Sequence, residues 1–241
     1  MTDPSLSNAV WYALTGPQSH LSVGHAGARM FQVDVTPFCA VPDDPSNADW
    51  QQLAQLLPTG GGALFREQIS LPDGWQQGDQ WPCLQLVRTQ TPMPEPILPE
   101  PILESFDTDV LTHNDLPEIL DLVARTRPGP FLGNTLATGQ YRGIRVNGQL
   151  VAMAGERMRL PGATEISAVA VESEFRGQGL ARQLITQVAS RITRRAEVPF
   201  LHVAETNEAA IRLYQSLGFE ISRTIDALIV AGPGQSPPEL R

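Results

Sequence analysis

Arg176, Gly177 and Gly179 stand close together, between the β-branched run ISAVAV and a helical pattern that starts at Leu180. A strand that turns directly into a helix leaves the N–H groups of the first helical turn unpaired, and the helix dipole makes that end attractive to anions. Glycine lets the backbone approach an anion because it has no Cβ, and the arginine guanidinium matches phosphate oxygens. These residues therefore indicate a diphosphate site. The alternative interpretation is a plain strand-to-helix turn.

Two well-known phosphate-binding loops do not fit this segment. The dinucleotide-binding fingerprint requires a third glycine and an acidic residue about 20 positions later at a strand end, and both are missing. The chain has no lysine, which excludes a Walker loop, a Schiff-base lysine and a self-acetylated lysine. Arginine or backbone N–H groups must therefore meet any anionic ligand.

The elements around the turn follow from hydrophobic periodicity and turn residues. Asn114 is expected to cap a helix, Asn147-Gly148 is the strongest short signal for a hairpin, and Gly218 fits a helix C-terminus. The pattern predicts helices at 114–125, 180–192 and 208–217, and strands at 141–146, 150–159, 164–171, 198–204 and 219–230. This order of elements predicts an α/β layer with a mixed sheet.

The N-terminal part is less regular, and a proline-rich segment separates it from the rest. Residues 50–57 favour a helix with Asp49 as its cap, and residues 63–65 and 82–88 favour strands. Residues 94–103 read PEPILPEPIL, which favours an extended, polyproline-like spacer. We therefore expect a smaller α+β domain at 1–90, a linker at 91–106, the main domain at 107–230 and a loose tail at 231–241.

Composition limits the compartment and the partners. The net charge is −9, with three arginines against eleven acidic residues in 1–106 and fourteen against fifteen in 107–241. This balance argues against general binding to nucleic acid. The start of the chain lacks a basic segment, no run approaches the roughly 20 apolar residues of a membrane span, and Cys39 and Cys83 are expected to be reduced. We expect a soluble cytoplasmic protein without membrane partners.

Two motifs connect this pattern to a known family. The residues from Arg176 to Ala181 match Arg/Gln-x-x-Gly-x-Gly/Ala, and those from Asn207 to Phe219 match Asn-x-x-Ala-x-x-x-Tyr followed by Gly-Phe. In these motifs and in the order of its elements the chain resembles the GNAT superfamily of acyl-CoA-dependent N-acetyltransferases. The resemblance covers about residues 107–230. It implies a mixed, largely antiparallel central sheet with flanking helices, preceded by a divergent N-terminal half.

The resemblance implies acetyl-CoA as cosubstrate and no metal. It implies that the CoA pyrophosphate binds the first motif and that backbone groups of the preceding strand hold pantetheine. The acetyl group would lie in a gap between the fourth and fifth strands, with an N–H near Val169 or Ala170 as oxyanion donor. Asn207 would contact CoA or cap its helix. The implied cofactor-binding residues are Val169, Ala170, Val171, Arg176, Gly177, Gln178, Gly179, Leu180, Ala181 and Asn207.

The resemblance also implies which groups move protons. Tyr214 would donate to the leaving thiolate, because a phenol pKa near 10 is reasonably matched to a thiol. Its alternative role is that of a core aromatic residue. Glu165 is the first candidate for the base and is expected to share one strand face with Val169 and Val171. Glu156 or a water molecule is the rival base, and either glutamate could instead be an ion-paired strand residue.

Together these observations predict an N-acetyltransferase that moves an acetyl group from acetyl-CoA to a primary amine of a small molecule, amino acid or peptide, by direct attack in a ternary complex. The loop at 126–131 is expected to shape acceptor specificity, and His202 either lines the gap or is satisfied structurally. The alternative is a non-catalytic acyl-CoA-binding module whose acidic N-terminal half is an interaction surface. A nucleotide-binding protein is a third interpretation, which the missing lysine disfavours.

Overall fold

The computed structural model describes residues 3–59, 61–89 and 106–237. Its strands are β1 Ser22–Val23, β2 Arg29–Phe31, β3 Phe38–Ala40, β4 Gly62–Arg66, β5 Gln76–Arg88, β6 Thr108–Leu111, β7 Tyr141–Val146, β8 Gln149–Leu160, β9 Ala163–Val171, β10 Val198–Ala204 and β11 Phe219–Ala231. Its α-helices are α1 Ala9–Thr15, α2 Asn47–Leu56, α3 Leu116–Thr126, α4 Leu180–Arg194 and α5 Glu208–Ser216. None of these described helices is long and apolar enough to cross a membrane.

The described strands form one mixed sheet in the order β1-β2-β3-β4-β11-β5-β10-β9-β8-β7-β6. Within the described residues, the pairs β3–β4 and β9–β10 are parallel and the other neighbours are antiparallel. Helices α4 and α5 pack on one face of the central strands, and α1 packs on the opposite face. The predicted mixed, largely antiparallel sheet with flanking helices is confirmed.

Strand β5 joins the two parts of the chain into this single sheet. Its segment 83–87 pairs antiparallel with β10, and its other edge pairs with β11 from residue 76 to residue 88. A strand that the sequence assigns to the 1–90 part therefore lies inside the sheet of the 107–230 part. The four-part division of the chain stays a prediction, and nearly all of the predicted linker lies outside the described residues, as do residues 238–241.

The elements predicted after residue 107 are present. Helix α4 buries Leu184, Val188 and Ile192, as their four-residue spacing predicts. The β7–β8 hairpin turns at Asn147 and Gly148, whose φ values of 52° and 83° are the two positive angles of a type I′ turn. The predicted N-terminal segments correspond to α2, β4 and β5, although β5 begins at residue 76 rather than 82.

Two predicted helix caps are wrong by a few residues. Ser46, not Asp49, caps α2, and the Asp49 carboxylate accepts from the Ser46 N–H at 2.7 Å. Thr112, not Asn114, caps the short turn that leads into α3, and the Asp115 carboxylate accepts from the Thr112 N–H at 2.8 Å. In both cases a hydroxyl side chain satisfies a free N–H group of the helix, and an acid three residues later closes the capping box.

A bulge in β9 changes which side chains share a face. Ala168 has a positive φ of 51°, and the register between β8 and β9 shifts there because β9 holds one more residue than β8. Val169 and Val171 consequently pack on the α4 side, whereas Glu165 lies on the α1 side. The prediction that these three residues share one strand face is therefore wrong.

Candidate active site

Strands β9 and β10 part in the middle of the sheet. They pair in parallel only between residues 163–166 and 198–201. Beyond these residues β9 continues through 167–171 and β10 through 202–204 without a shared pair. The two strands thus leave an opening, called the strand gap below, at the place where the family resemblance implies one.

One edge of the strand gap carries backbone N–H groups without a strand partner. The Glu172 N–H donates to the Val151 carbonyl at 2.8 Å, which is on the β8 side. Because successive N–H groups of a strand alternate in direction, the N–H of Ala170 also faces β8, and those of Val169 and Val171 face the strand gap. Since no described strand pairs with this part of β9 on that side, both N–H groups lack a strand partner among the described residues.

The glycine turn at 176–179 follows β9 and leads directly into α4. Gly177 and Gly179 have φ values of 78° and 83°, which favour glycine over residues that carry a Cβ. Gly179 is the N-cap of α4 and offers no side-chain hydrogen bond, so the first N–H groups of this 15-residue helix stay open. Leu180 is buried and Ala181 is half-buried, which fixes the start of the helix against the core.

Arg176 places its guanidinium beside this turn. Its Nε donates to the Val171 carbonyl at 3.3 Å, and among the described residues no carboxylate forms an ion pair with it. Gln178 is exposed, and its Nε2 donates to the Glu174 carbonyl at 3.4 Å. An exposed cation, open N–H groups and the positive end of the α4 dipole therefore meet at one end of the strand gap. This arrangement suits an anion with several oxygens.

Tyr214 lies on α5, inside the cluster that packs α4 and α5 on the sheet. Its ring centroid is 6.3 Å from that of Phe219, and the residue is 6% exposed. Its hydroxyl makes no hydrogen bond to a described residue. Burial raises the pKa of Tyr214 to about 12, so the phenol is protonated at neutral pH. Tyr214 is thus a core aromatic residue whose hydroxyl does not donate to any described residue.

The second motif builds helix α5 and both of its ends. The Asn207 Oδ1 accepts from the Ala210 N–H at 3.2 Å, which is the capping role that the motif implies. Gly218 follows the helix with a φ of 82°, and Phe219 begins β11 as a buried residue. The motif residues therefore fix the position of Tyr214 relative to the sheet.

Glu165 lies in a buried ion-pair network. Nε and Nη2 of Arg157 donate to its two carboxylate oxygens at 2.8 and 2.6 Å, and Nδ1 of His202 lies 2.9 Å from Oε1. Burial alone would raise the pKa of Glu165, but Arg157 and His202 outweigh it and lower this pKa to about 2. A general base near neutral pH needs a raised carboxyl pKa. These surroundings therefore do not favour Glu165 as the base.

His202 is satisfied by this network and does not open onto a substrate. Its Nε2 lies 2.9 Å from the Nε2 of Gln85, which also donates to the Leu6 carbonyl at 2.8 Å. Because the Gln85 amide nitrogen is a donor in both contacts, Nε2 of His202 accepts and Nδ1–H donates to Glu165. Burial lowers the pKa of His202, which agrees with a neutral ring. Of the two roles considered for this residue, the geometry favours the structural one.

Arginines also hold the rival base Glu156, on the face of the sheet opposite to that of Glu165. Nη1 and Nη2 of Arg195 donate to its carboxylate oxygens at 3.0 and 3.1 Å, and Nε of Arg191 lies 3.4 Å from Oε1. Arg191 lies in the last turn of α4 and Arg195 is its C-cap residue, so the carboxylate is paired away from the strand gap.

The N-terminal part supplies a buried polar residue near Glu165 that sequence reasoning missed. Gln18 is 2% exposed, and its Nε2 donates to the carbonyls of Thr138 and Arg157 at 2.9 and 2.7 Å. Its Oε1 accepts from the Arg159 N–H at 3.1 Å. One amide thus connects the segment before β7 to the part of β8 that binds Glu165. No local pattern marks Gln18, because its partners are 120 to 141 positions away in sequence.

The loop predicted to shape acceptor specificity follows α3. Arg127 ends the helix with a φ of 48°, and Phe131 is buried with its ring centroid 5.4 Å from that of Tyr141. Slightly further on, the Asn134 N–H donates to the Asp34 carbonyl at 2.8 Å. The N-terminal part therefore binds this segment through a backbone hydrogen bond.

Sequence comparisons agree with this fold. The FR47-like protein family model matches residues 141–226. The ribosomal protein bS18-alanine N-acetyltransferase of Escherichia coli K12 is 32% identical over 115 residues, which cover 45% of this chain and 77% of that enzyme. The N-alpha-acetyltransferase RimI of Mycobacterium tuberculosis is 34% identical over 83 residues, which cover 33% of this chain and 51% of that enzyme.

A solved structure matches almost the whole chain. The putative acetyltransferase from the GNAT family from Novosphingobium aromaticivorans has 35% sequence identity and a TM-score of 0.79, covering 95% of this chain and 99% of its own. The chain therefore belongs to the GNAT superfamily of acetyltransferases. Its activity is that of an N-acetyltransferase, as in its curated relatives. Because the structural match spans the N-terminal part too, that part belongs to the shared architecture.

Proposed function

We propose that this enzyme transfers an acetyl group from acetyl-CoA to a primary amine by direct attack in a ternary complex. The observation that carries the proposal is the strand gap, whose β9 edge presents the open N–H groups of Val169 and Val171 and ends at the glycine turn. A pantetheine arm contains amides that can pair with such an edge much as a strand would. The pyrophosphate then falls at the start of α4.

The proposed CoA site uses the residues of the first motif. The turn from Arg176 to Gly179 contributes a guanidinium and a backbone that an anion can approach closely. Leu180 and Ala181 contribute the first N–H groups of α4. Asn207 contributes indirectly, because its cap fixes the start of α5.

Val169 is the better of the two candidate oxyanion donors. Its N–H faces the strand gap, whereas that of Ala170 faces β8 by the alternation of the strand. A fixed backbone N–H stabilises the charge that develops on the thioester oxygen when the amine attacks. The bulge at Ala168 supports this role, because it turns the backbone just before the donor.

Tyr214 stabilises the departing thiolate in this proposal. Its phenol is protonated at neutral pH because burial raises its pKa to about 12, and its hydroxyl has no partner among the described residues. Complete proton transfer to a thiolate of ordinary pKa, about 8.5, would be uphill by several kcal/mol. We therefore assign Tyr214 a hydrogen bond to the thiolate that strengthens as negative charge develops on sulfur.

Water is the proton acceptor that the surroundings favour. Glu165 and Glu156 are each held by an arginine with two hydrogen bonds, and the pKa of Glu165 is lowered rather than raised. The attacking amine is consequently expected to lose its proton to solvent at the mouth of the strand gap. Glu165 then acts as a positioning residue for Arg157 and His202.

The acceptor proposed for the first assay is the α-amine of a peptide. Two relatives are named as enzymes that acetylate the alanine of a ribosomal protein or an N-alpha position. Amino acids and small amines remain the other members of the predicted acceptor class. The family model matches residues 141–226 and leaves the N-terminal part unmatched, so we expect that part to be the main source of any difference in acceptor.

Release of free thiol from acetyl-CoA tests the proposal. Peptides that begin with alanine are compared with the same peptides blocked at the N-terminus, and with amino acids and polyamines. Thiol release with the free peptide and none with the blocked one is the expected result. Tight CoA binding by calorimetry without turnover on any amine would instead favour the non-catalytic module.

A further inference from the structure

A cationic cavity lies on the described surface outside the proposed reaction site. It has a volume of about 600 Å³ and is bounded by the start of β7 and the last turns of α4. Arg142 from β7 and Arg191 and Arg194 from α4 line it, and no acidic residue is part of its described lining. The chain has a net charge of −9, whereas the charged side chains that line this cavity are all positive.

Two of the three arginines have no carboxylate partner among the described residues. Nη2 of Arg142 donates to the carbonyl and the hydroxyl of Thr108 at 2.9 and 2.7 Å, which leaves Nη1 free for another acceptor. Arg194 is exposed and forms no ion pair with a described residue. Nε of Arg191 lies 3.4 Å from Oε1 of Glu156, a carboxylate that another arginine already neutralises.

The helix dipole explains only part of this cluster. Cations in the last turn of a helix interact favourably with its free carbonyl groups, which fits Arg191 and Arg194. Arg142 comes from β7, and hydrogen bonds to Thr108 position its guanidinium rather than the free carbonyl groups of α4. The amide of Gln187 adds a neutral donor, because its Oε1 already accepts from the Thr108 hydroxyl at 2.9 Å and its Nε2 remains available.

The cavity is distinct from the glycine turn. It adjoins the C-terminal end of α4, whereas Gly179 caps the N-terminal end. A helix of 15 residues spans about 20 Å. A single pyrophosphate group, such as that of CoA, therefore cannot contact both the glycine turn and this cavity.

We propose that this cavity is a second anion-binding site, which takes a small organic molecule that carries one or more phosphate groups. One guanidinium suffices for a single carboxylate, whereas three arginines that line one cavity suit a group with two or more charges and several acceptor oxygens. The volume falls within the range of small-molecule sites, roughly 300–1,000 Å³.

Calorimetric titration of pyrophosphate into the full chain, with CoA at saturation, tests this assignment. Binding is expected, and Arg194→Gln and Arg142→Gln should each weaken it about tenfold through loss of a charge-assisted contact. The matched control is Arg212→Gln, whose guanidinium is exposed and paired with Glu208, and it should leave the affinity unchanged. Because Arg194 has no ion-pair or hydrogen-bond partner among the described residues, its variant should also keep the Tm of the parent protein.

Three results would overturn the assignment. Pyrophosphate binding that is insensitive to both cavity variants would place the probe outside the cavity, and binding that disappears in Arg176→Gln would place it in the glycine turn. Binding of a glutamate-rich peptide without binding of pyrophosphate would assign the cavity to a protein partner. The titration requires no acetyl transfer, so it can succeed even if the proposed function is wrong. If CoA does not bind, the same titration is run on Arg176→Gln without CoA. Failure of the proposed function is therefore distinguished from failure of the second anion-binding site.

Discussion

Arg157 binds both carboxylate oxygens of Glu165, at 2.8 and 2.6 Å, with side-chain exposures of only 9% and 1%. The guanidinium also lies over the ring of Phe38, 4.8 Å from its centroid, so a residue of the N-terminal part covers the pair. The pair therefore connects the two parts of the chain at the edge of the strand gap. Removing one partner leaves the other charge buried.

Glu165→Gln should lower the free energy of unfolding by about 3–5 kcal/mol, because Arg157 would stay buried without its counter-charge. Urea denaturation measures this change. Glu208→Gln breaks an exposed ion pair with Arg212 and should change stability by less than about 0.5 kcal/mol. A Glu165→Gln protein of parental stability that has lost acetyl transfer would contradict the structural role and support the base role.

Acid should remove the stabilisation that Glu165 provides. Its pKa in the folded chain is lowered to about 2 from an ordinary value of 4.5, so the folded state favours the ionised form. The stabilisation is complete above pH about 4.5 and is lost as the pH falls toward 2; the shift corresponds to roughly 3 kcal/mol. The stability difference between the parent and Glu165→Gln should therefore shrink over this window, in urea titrations at several pH values. A difference that stays constant down to pH 2.5 would contradict the lowered pKa.

Tyr214→Phe should lower kcat about a hundredfold with little change in acetyl-CoA affinity or Tm. The hydroxyl makes no hydrogen bond to a described residue, so its removal costs the fold little. Steady-state kinetics and calorimetry give the three quantities. Tyr12→Phe is the control, since it removes a hydroxyl that donates to Asp43 at 2.6 Å in the N-terminal part. Equal kcat in the Tyr214 variant would exclude the residue from the mechanism.

Gln18→Leu should destabilise the protein by about 2–4 kcal/mol, because buried carbonyls of Thr138 and Arg157 and the N–H of Arg159 lose their partner. It should also raise KM for the amine more than KM for acetyl-CoA, since the segment before β7 is no longer tied to β8. Denaturation and two-substrate kinetics separate these effects. Gln51→Leu, on an exposed position of α2, is the matched control. Equal rises in both KM values would argue against a specific role at the acceptor side.

A chain that begins at residue 106 should not fold. Without β5 the facing edges of β10 and β11 have no partner, and β11 also loses β4. Circular dichroism and limited proteolysis should show an unfolded or aggregated fragment, and co-expression of residues 1–89 should restore structure. A fragment that is folded and binds CoA alone would mean that β11 can close onto β10 directly.

Periodicity predicted the helices of the C-terminal half well because each of them buries one face in the usual way. Leu184, Val188 and Ile192 mark the buried side of α4, and Asn147-Gly148 carries its own turn chemistry. The position of β5 in the sheet was not predictable. The hydrophobic pattern of a strand indicates which of its faces is buried, but not which strands lie beside it.

The site was predictable where backbone chemistry leaves a signature in the residue type. Gly177 and Gly179 occupy positive φ, and glycine is the usual residue there. Ala168 also has a positive φ, yet alanine carries no signal for it, so the bulge and the resulting position of Glu165 were missed. Gln18 and Gln85 were missed for a related reason, since a glutamine in an irregular segment gives no hint of distant buried partners.

The central position of β5 in the sheet also determines when its strand pairs can form during synthesis. The ribosome completes β5 about 130 residues before it starts β11, which must pair along the length of β5. At a synthesis rate of about 5–20 residues per second, the strand waits roughly 7–26 seconds for that partner. During this interval one edge of β5 lacks β11, and its other edge lacks β10 until residues 198–204 have been made, so the risk of aggregation is greatest before translation ends.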